Sequence, residues 1–115
     1  MKARKIKKVS IVVPVYNEEK TIITVLRKVI NLKFSKIKRE IIVIDDGSTD
    51  QTRKLIENFS KGNKDILFHS HKKNLGKGYC LIKAFSIASG DVFVIQDADL
   101  EYPPENILSL LKPIQ

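Results

Sequence analysis

The 115-residue chain contains no tryptophan and a single cysteine, Cys80, and only 7% of its residues are aromatic. One cysteine excludes an intramolecular disulfide and a cysteine metal cluster, and fits a reducing cytoplasm. Few aromatics leave little of the stacking platform that single-stranded nucleic acid requires. No apolar run approaches the ~20 residues of a membrane-spanning helix. Lys2, Arg4, Lys5, Lys7 and Lys8 precede an apolar stretch that covers only Val9 to Val15 and is broken by Ser10 and Pro14. That pattern reads as a basic lead-in to a strand rather than a signal peptide. With five glycines and four prolines, the chain has no linker or low-complexity segment. One domain spanning 1–115 is expected.

Acids are in short supply: 13 against 21 lysines and arginines, a net charge of +8. Such a balance suits nucleic acid, an anionic membrane surface or a phosphorylated substrate. The lysines are scattered apart from the first eight residues and Lys36-Ile37-Lys38-Arg39, and they are not interleaved with aromatics. A solvated basic face, and no nucleic-acid partner, is the expectation.

Val9-Ser10-Ile11-Val12-Val13-Pro14-Val15 is β-branched and nearly continuous in apolar character, as a strand buried on both faces should be. Asn17, Glu18 and Glu19 then open a helix over roughly 18–32, with Ile22, Leu26, Val29 and Ile30 at helical spacing. Glu40 to Ile44 forms a second apolar run, stopped by Asp45-Asp46-Gly47. Ser48 and Gln51 have capping-box spacing and open a helix over about 49–60, with Leu55, Ile56 and Phe59 inward. Ile66 to Ser70 is a shorter strand near an edge. Leu75, Tyr79, Ile82 and Phe85 mark a third helix that stops before Gly90. A fourth strand lies within Asp91 to Gln96, and Pro104 begins a fourth helix with Ile107, Leu108 and Leu111 on its inner face.

Alternating strands and helices imply an α/β, Rossmann-like three-layer sandwich with a parallel sheet of about four strands in order 3-2-1-4. Ligands of such sheets bind outside the carboxyl ends of the strands where the winding reverses. Three polar loops open there: Pro14 to Glu18, Asp45 to Asp50 and Asp97 to Glu101. Asp97-Ala98-Asp99 puts two carboxylates at the exit of a buried strand, a hard-oxygen pair suited to Mg²⁺ or Mn²⁺ against a diphosphate. Asp46 stands where a carboxylate can accept from a base N–H or a ribose hydroxyl. Tyr16 offers a ring to pack on.

Val12-Val13-Pro14-Val15-Tyr16-Asn17-Glu18, Ile44-Asp45-Asp46-Gly47-Ser48-Thr49-Asp50, Asn74-Leu75-Gly76-Lys77-Gly78 and Asp97-Ala98-Asp99-Leu100 together resemble the nucleotide-binding half of family 2 glycosyltransferases of the GT-A fold. Asp99-Leu100-Glu101-Tyr102-Pro103-Pro104-Glu105 is similar in particular to the polyprenyl-phosphate mannose and glucose synthases. The resemblance implies nucleoside contacts at Pro14, Tyr16, Glu18, Ile44 and Asp46, and diphosphate contacts at Asp97, the Ala98 backbone and Asp99. It also implies a divalent metal at Asp97 and Asp99. Synthases often carry Gln where this chain has Glu101, which adds a third candidate metal contact of altered character. The implied activity is metal-dependent transfer of a sugar from a UDP- or GDP-linked donor, with a polyprenyl phosphate as acceptor at the cytoplasmic membrane face. Lys77 is implied to be structural or close to phosphate.

Family members continue for roughly a hundred residues past the paired acids. A GT-A fold truncated at its C-terminus is therefore expected, with an unpaired fourth-strand edge open to self-association. A non-catalytic nucleotide-binding module or inactive remnant is the alternative reading, and no catalytic base is visible. His69 and His71 read as an exposed edge pair, and Cys80 as core packing.

Overall fold

A parallel strand buried on both faces must find aliphatic partners above and below it, and alternate residues of β1 (Lys8–Val15) do so. Val9, Ile11, Val13 and Val15 join one apolar cluster and Val12 joins the other. The computed structural model describes residues 6–34, 36–99 and 104. In it, β1 is followed by α1 (Ile22–Ile30), β2 (Lys38–Asp45), α2 (Thr52–Ser60), β3 (Ile66–Ser70), α3 (Lys77–Ile87) and β4 (Val92–Ile95). The strands are parallel and lie in the order β3-β2-β1-β4, as the sequence predicts. Glu101 and most of the expected fourth helix, including Ile107, Leu108 and Leu111, lie outside the described residues.

Residues from α1 and α2 (Ile22, Val25, Leu26, Val29 and Ile56) complete the first cluster with Ile41 and Val43 of β2. Each fully buried aliphatic side chain contributes about 1.5–3 kcal/mol, so this layer carries most of the apolar stabilisation. The Arg39 guanidinium donates to the carbonyls of Ile30 and Leu32, closing the C-terminal end of α1 with a positive charge.

Helix starts differ from expectation for a local reason. α1 begins at Ile22, not near Glu18, because the residues expected to open it are used in the loop. Asn17 adopts a left-handed φ of 51°, and the Glu18 carbonyl accepts the amides of Thr21 and Ile22. The capping box at Ser48 does not form: its hydroxyl accepts the Asn17 amide, and Asp50 instead receives the Thr52 amide at 2.9 Å.

The inner face of α3 is made by small residues, among them Cys80, whose core packing the sequence predicts. Cys80 and Ala84 point at Val12, Ile42 and Ile44, while Tyr79, Ile82 and Phe85 are 61%, 66% and 46% exposed. Small side chains let the helix lie close over the sheet, and the large ones are turned outward. Phe85 meets Phe93 of β4 edge-to-face at 5.1 Å, and Phe93 and Ile95 are themselves exposed.

At the end of the sheet opposite the strand exits, Glu40 is buried. Its Oε2 accepts the Ser10 hydroxyl and the Ser89 amide, each at 2.6 Å, and Lys8 Nζ lies 3.5 Å from Oε1. Burial alone would raise the Glu40 carboxyl, but hydrogen bonds from Ser10 and Ser89 outweigh it and hold the group below its ordinary value.

Candidate functional site

The carboxyl ends of β1, β2 and β4 open onto one crevice of about 270 Å³. Of the eight residues expected to contact a nucleotide, seven line it: Pro14, Tyr16, Glu18, Asp46, Asp97, Ala98 and Asp99. Ile44 does not line it, because its side chain is fully buried beneath α3 against Cys80 and Ala84.

The loops that form this crevice are fastened to one another mostly by residues to which the motifs assign no ligand contact. Asn17 Oδ1 accepts the Thr49 amide at 2.8 Å and the Asp50 amide at 3.3 Å. Its own amide donates to Ser48 Oγ at 2.9 Å, so the β1 and β2 exits form one unit. The Glu18 amide donates to Thr52 Oγ1 at 3.0 Å, extending the seam to α2. Thr21 then ties in the third exit: its hydroxyl donates to the Ala98 carbonyl at 2.5 Å and lies 3.3 Å from Glu18 Oε2. The backbone between the two acids is thereby fixed to the loop after β1.

Asp45 and Asp46 face opposite layers and do different work. Asp45 is fully buried, and its Oδ2 accepts the Ser70 hydroxyl at 3.1 Å and the Ser48 amide at 3.4 Å. It shapes the turn. Asp46 faces the crevice and holds the segment before α3: Oδ1 accepts from His71 Nδ1 and the Leu75 amide, both at 2.9 Å, and Oδ2 accepts the Gly76 amide at 2.8 Å. Burial would raise its carboxyl, yet the bonds from His71, Leu75 and Gly76 prevail and hold it below the ordinary value. The group is an anion at neutral pH.

His71 departs from the exposed-edge expectation, because its side chain is only 10% exposed and is paired with Asp46. Spacing along β3 could not reveal this, since the partner lies on β2, 25 residues earlier. Gly47 permits the arrangement. It has φ +73°, and a Cβ there would stand 2.3 Å from the Lys73 carbonyl carbon and 2.5 Å from the Asn74 nitrogen.

Also lining the crevice, Lys77 Nζ lies 2.9 Å from Asp97 Oδ1. Lys77 is the first residue of α3 and follows Gly76, whose φ is 102°. The pair is substantially exposed, so it adds about 0–1 kcal/mol to stability and separates readily. The lining of the crevice therefore combines two sets of groups, the apolar and aromatic surface of Pro14 and Tyr16 with the Asp46 carboxylate, and the charged groups Asp97, Asp99 and Lys77. A planar group with hydrogen-bonding edges fits the first, and a cation-bridged polyanion fits the second.

The family model for glycosyl transferase family 2 matches residues 10–115. The chain is 36% identical over 109 residues to the undecaprenyl-phosphate 4-deoxy-4-formamido-L-arabinose transferase of Proteus mirabilis, covering 93% of this chain and 33% of the relative. It is 38% identical over 109 residues to the dolichol-phosphate mannosyltransferase of Pyrococcus furiosus, covering 94% of this chain and 30% of the relative. Among solved structures it is similar to a mannosyltransferase from Pyrobaculum calidifontis in complex with GDP-Man and Mn²⁺. That match has a TM-score of 0.75 and 28% identity, covering 84% of this chain and 28% of the other. TarS of S. aureus in complex with UDP-GlcNAc gives a TM-score of 0.76 and 30% identity, covering 91% and 30%. The chain thus spans about a third of the length of these relatives.

Proposed function

Since the chain belongs to glycosyltransferase family 2, we propose that it is the donor-binding part of an enzyme moving a sugar from a nucleoside-diphosphate sugar to a polyprenyl phosphate. The observation that carries this reading is the convergence of Tyr16, Asp46 and the Asp97-Asp99 pair on one crevice. Tyr16 and Pro14 offer a surface for the base, Asp46 an anionic acceptor for its N–H edge, and Glu18 a second carboxylate beside it.

Asp97 and Asp99 would hold Mg²⁺ or Mn²⁺. Two carboxylates are the hard donors these ions take, and the ammonium of Lys77 against Asp97 Oδ1 marks a position that accepts positive charge. When bound, the ion supplies Lewis-acid stabilisation of the diphosphate leaving group. The chain's own part is to orient the donor. Thr21 keeps the Ala98 carbonyl turned to the β1 exit, which sets the direction of the acids on either side. Asp46 fixes the Leu75-Gly76 backbone and with it the position of Lys77 beside the phosphates. Glu101 would extend the cation's shell. A lipid phosphate is already an anion and attacks without a general base from this half.

The relatives' names specify polyprenyl-phosphate and dolichol-phosphate substrates, and the same acceptor class is proposed here. None of the described helices is long and apolar enough to cross a membrane. We place the protein at the cytoplasmic membrane face, where its net charge of +8 favours anionic lipid. The outer edge of β4, which pairs with β1 alone among the described residues, is the edge through which copies would associate.

Calorimetric titration with UDP and with GDP, each with and without Mn²⁺, tests the donor site. One nucleotide is expected to bind more tightly with Mn²⁺, and Asp99→Asn to lose about tenfold, or about 1.4 kcal/mol, of the metal-dependent complex. If folded protein binds neither nucleotide under any condition, the donor-site reading fails.

A further inference from the structure

Cys80 on the first turn of α3, His71 just past β3 and Asp46 at the exit of β2 bring a sulfur, a nitrogen and an oxygen within 4.8 Å of one another. We infer that this triad is a second cation site, taking a borderline-soft divalent ion such as Zn²⁺ and distinct from the hard-oxygen pair Asp97 and Asp99.

Three features of the geometry support it. First, ligand atoms about 2.0–2.3 Å from a tetrahedral Zn²⁺ lie about 3.3–3.8 Å apart, so at most about 1.5 Å of side-chain adjustment is needed. Second, Asp46 is already oriented by its surroundings. The amides of Leu75 and Gly76 hold its two oxygens, the kind of outer hydrogen bonding that fixes a ligating carboxylate. The remaining side-chain donor to Asp46 is the His71 ring N–H, and the Cys80 sulfur lies beside both. A cation entering among the three replaces the His71–Asp46 contact and leaves the backbone bonds intact. Third, Asp46 carries a negative charge, and among the described residues no lysine or arginine pairs with it. Thiolate, carboxylate and a divalent ion sum to zero, with the Cys80 proton released to solvent and His71 binding as neutral imidazole.

The site faces the crevice, which both Asp46 and Cys80 line, leaving a fourth position for water. This part of the inference rests on the proposed donor site: Asp46 cannot serve a nucleobase and a Zn²⁺ ion together, so zinc would exclude the nucleotide. A metal-controlled block at the Asp46 part of the crevice follows, separate from the metal requirement at Asp97 and Asp99.

Co²⁺ is the probe, because a thiolate ligand gives an intense near-ultraviolet charge-transfer absorption that oxygen ligands at Asp97 and Asp99 do not give. Cys80 is the only cysteine, so such a band has one possible source. Titration of the full chain is expected to produce the band at one equivalent, with Zn²⁺ removing it and Mn²⁺ leaving it unchanged. Cys80→Ser should abolish the band, and His71→Gln should weaken Zn²⁺ binding at least about tenfold against a chelating dye. Circular dichroism of each variant verifies that it is folded. Absence of the band in folded wild-type protein, its survival in Cys80→Ser, or unchanged Zn²⁺ affinity in His71→Gln each overturns the proposal. UDP and GDP are then added without other metal. Bleaching of the band supports exclusion, and coexistence overturns it. If no nucleotide binds yet the band forms, the donor-site reading has failed and the zinc site has not.

Discussion

Gly47→Ala is expected to lower the unfolding free energy by about 3–5 kcal/mol, a range that only strained or overpacked positions reach. Two costs add at this residue. Its φ of +73° is left-handed, which costs an L side chain about 1–2 kcal/mol. The added methyl would also stand 2.3 Å from the Lys73 carbonyl carbon and 2.7 Å from Lys73 Cα, both backbone atoms that cannot rotate away. Relief requires the 71–76 segment to move off the β2 exit, and that segment is what Asp46 holds through His71, Leu75 and Gly76. Nucleotide affinity should therefore fall together with stability. Urea unfolding measures the first and calorimetry the second. An unfolding free energy within about 1 kcal/mol of wild type would show that the two loops do not meet this closely.

The second large effect lies at the far end of the sheet. Glu40→Ala is expected to cost about 3 kcal/mol, because it leaves the Ser10 hydroxyl, the Ser89 amide and the Lys8 ammonium without their shared acceptor in a buried position. The same network makes a prediction about acid. Because the folded state holds this carboxyl below its ordinary value of 4.5, the stabilisation is complete above that pH and is lost as pH falls through the lower, folded value. Wild type should thus lose stability below about pH 4.5, whereas the alanine variant, lacking the group, should show a flatter acid limb. Parallel acid limbs for the two proteins would exclude Glu40 as the source. Donor binding should be little changed in the variant, since Glu40 lies at the opposite end of the sheet from the crevice.

Much of the architecture was legible because it depends on periodicity and on chain-wide rules. Val9 to Val15 and Ile41 to Ile44 are nearly continuous apolar runs of the kind a doubly covered parallel sheet takes, and right-handed crossovers with the common doubly wound order give the strand order. The third helix is legible from its spacing, and so is the core position of Cys80, but the exposure of its large side chains is not. Tyr79, Ile82 and Phe85 dominate any count of apolar spacing, whereas the contact with the sheet is made by the smaller Cys80 and Ala84, whose value lies in permitting close approach. Capping signals misled in a related way. Asn17, Ser48 and Asp50 are good caps in isolation, and the fold uses Asn17 and Ser48 instead to bind two loops to each other, at 2.8–2.9 Å.

In the crevice, acids announce themselves by type and spacing, while the residues that orient them do not. Thr21 reads as an ordinary helix-start threonine until Ala98, 77 residues later, is brought to its hydroxyl. His71 reads as half of an edge pair until Asp46 is found against its ring. Long-range polar partners leave no local pattern, so neither could be assigned from spacing.

The pairing that completes the sheet also sets an order of assembly. β1 meets β2 from Lys8 to Lys38, a separation of about 30 residues, whereas the Asp91 amide reaches the Lys8 carbonyl across 83. Closing the longer loop costs about 0.9 kcal/mol more entropy. β1, β2 and β3 can therefore associate with α1 and α2 before β4 arrives, and Asp97 and Asp99 gain their positions only when it docks. Pulse-labelled refolding should protect the Gln96 amide, bonded to the Val12 carbonyl, later than the Ile41 amide; simultaneous protection would mean that the sheet forms in one step. The Tyr16 and Asp46 part of the crevice would then be built before the Asp97 and Asp99 part, which is also the order in which a ribosome delivers them.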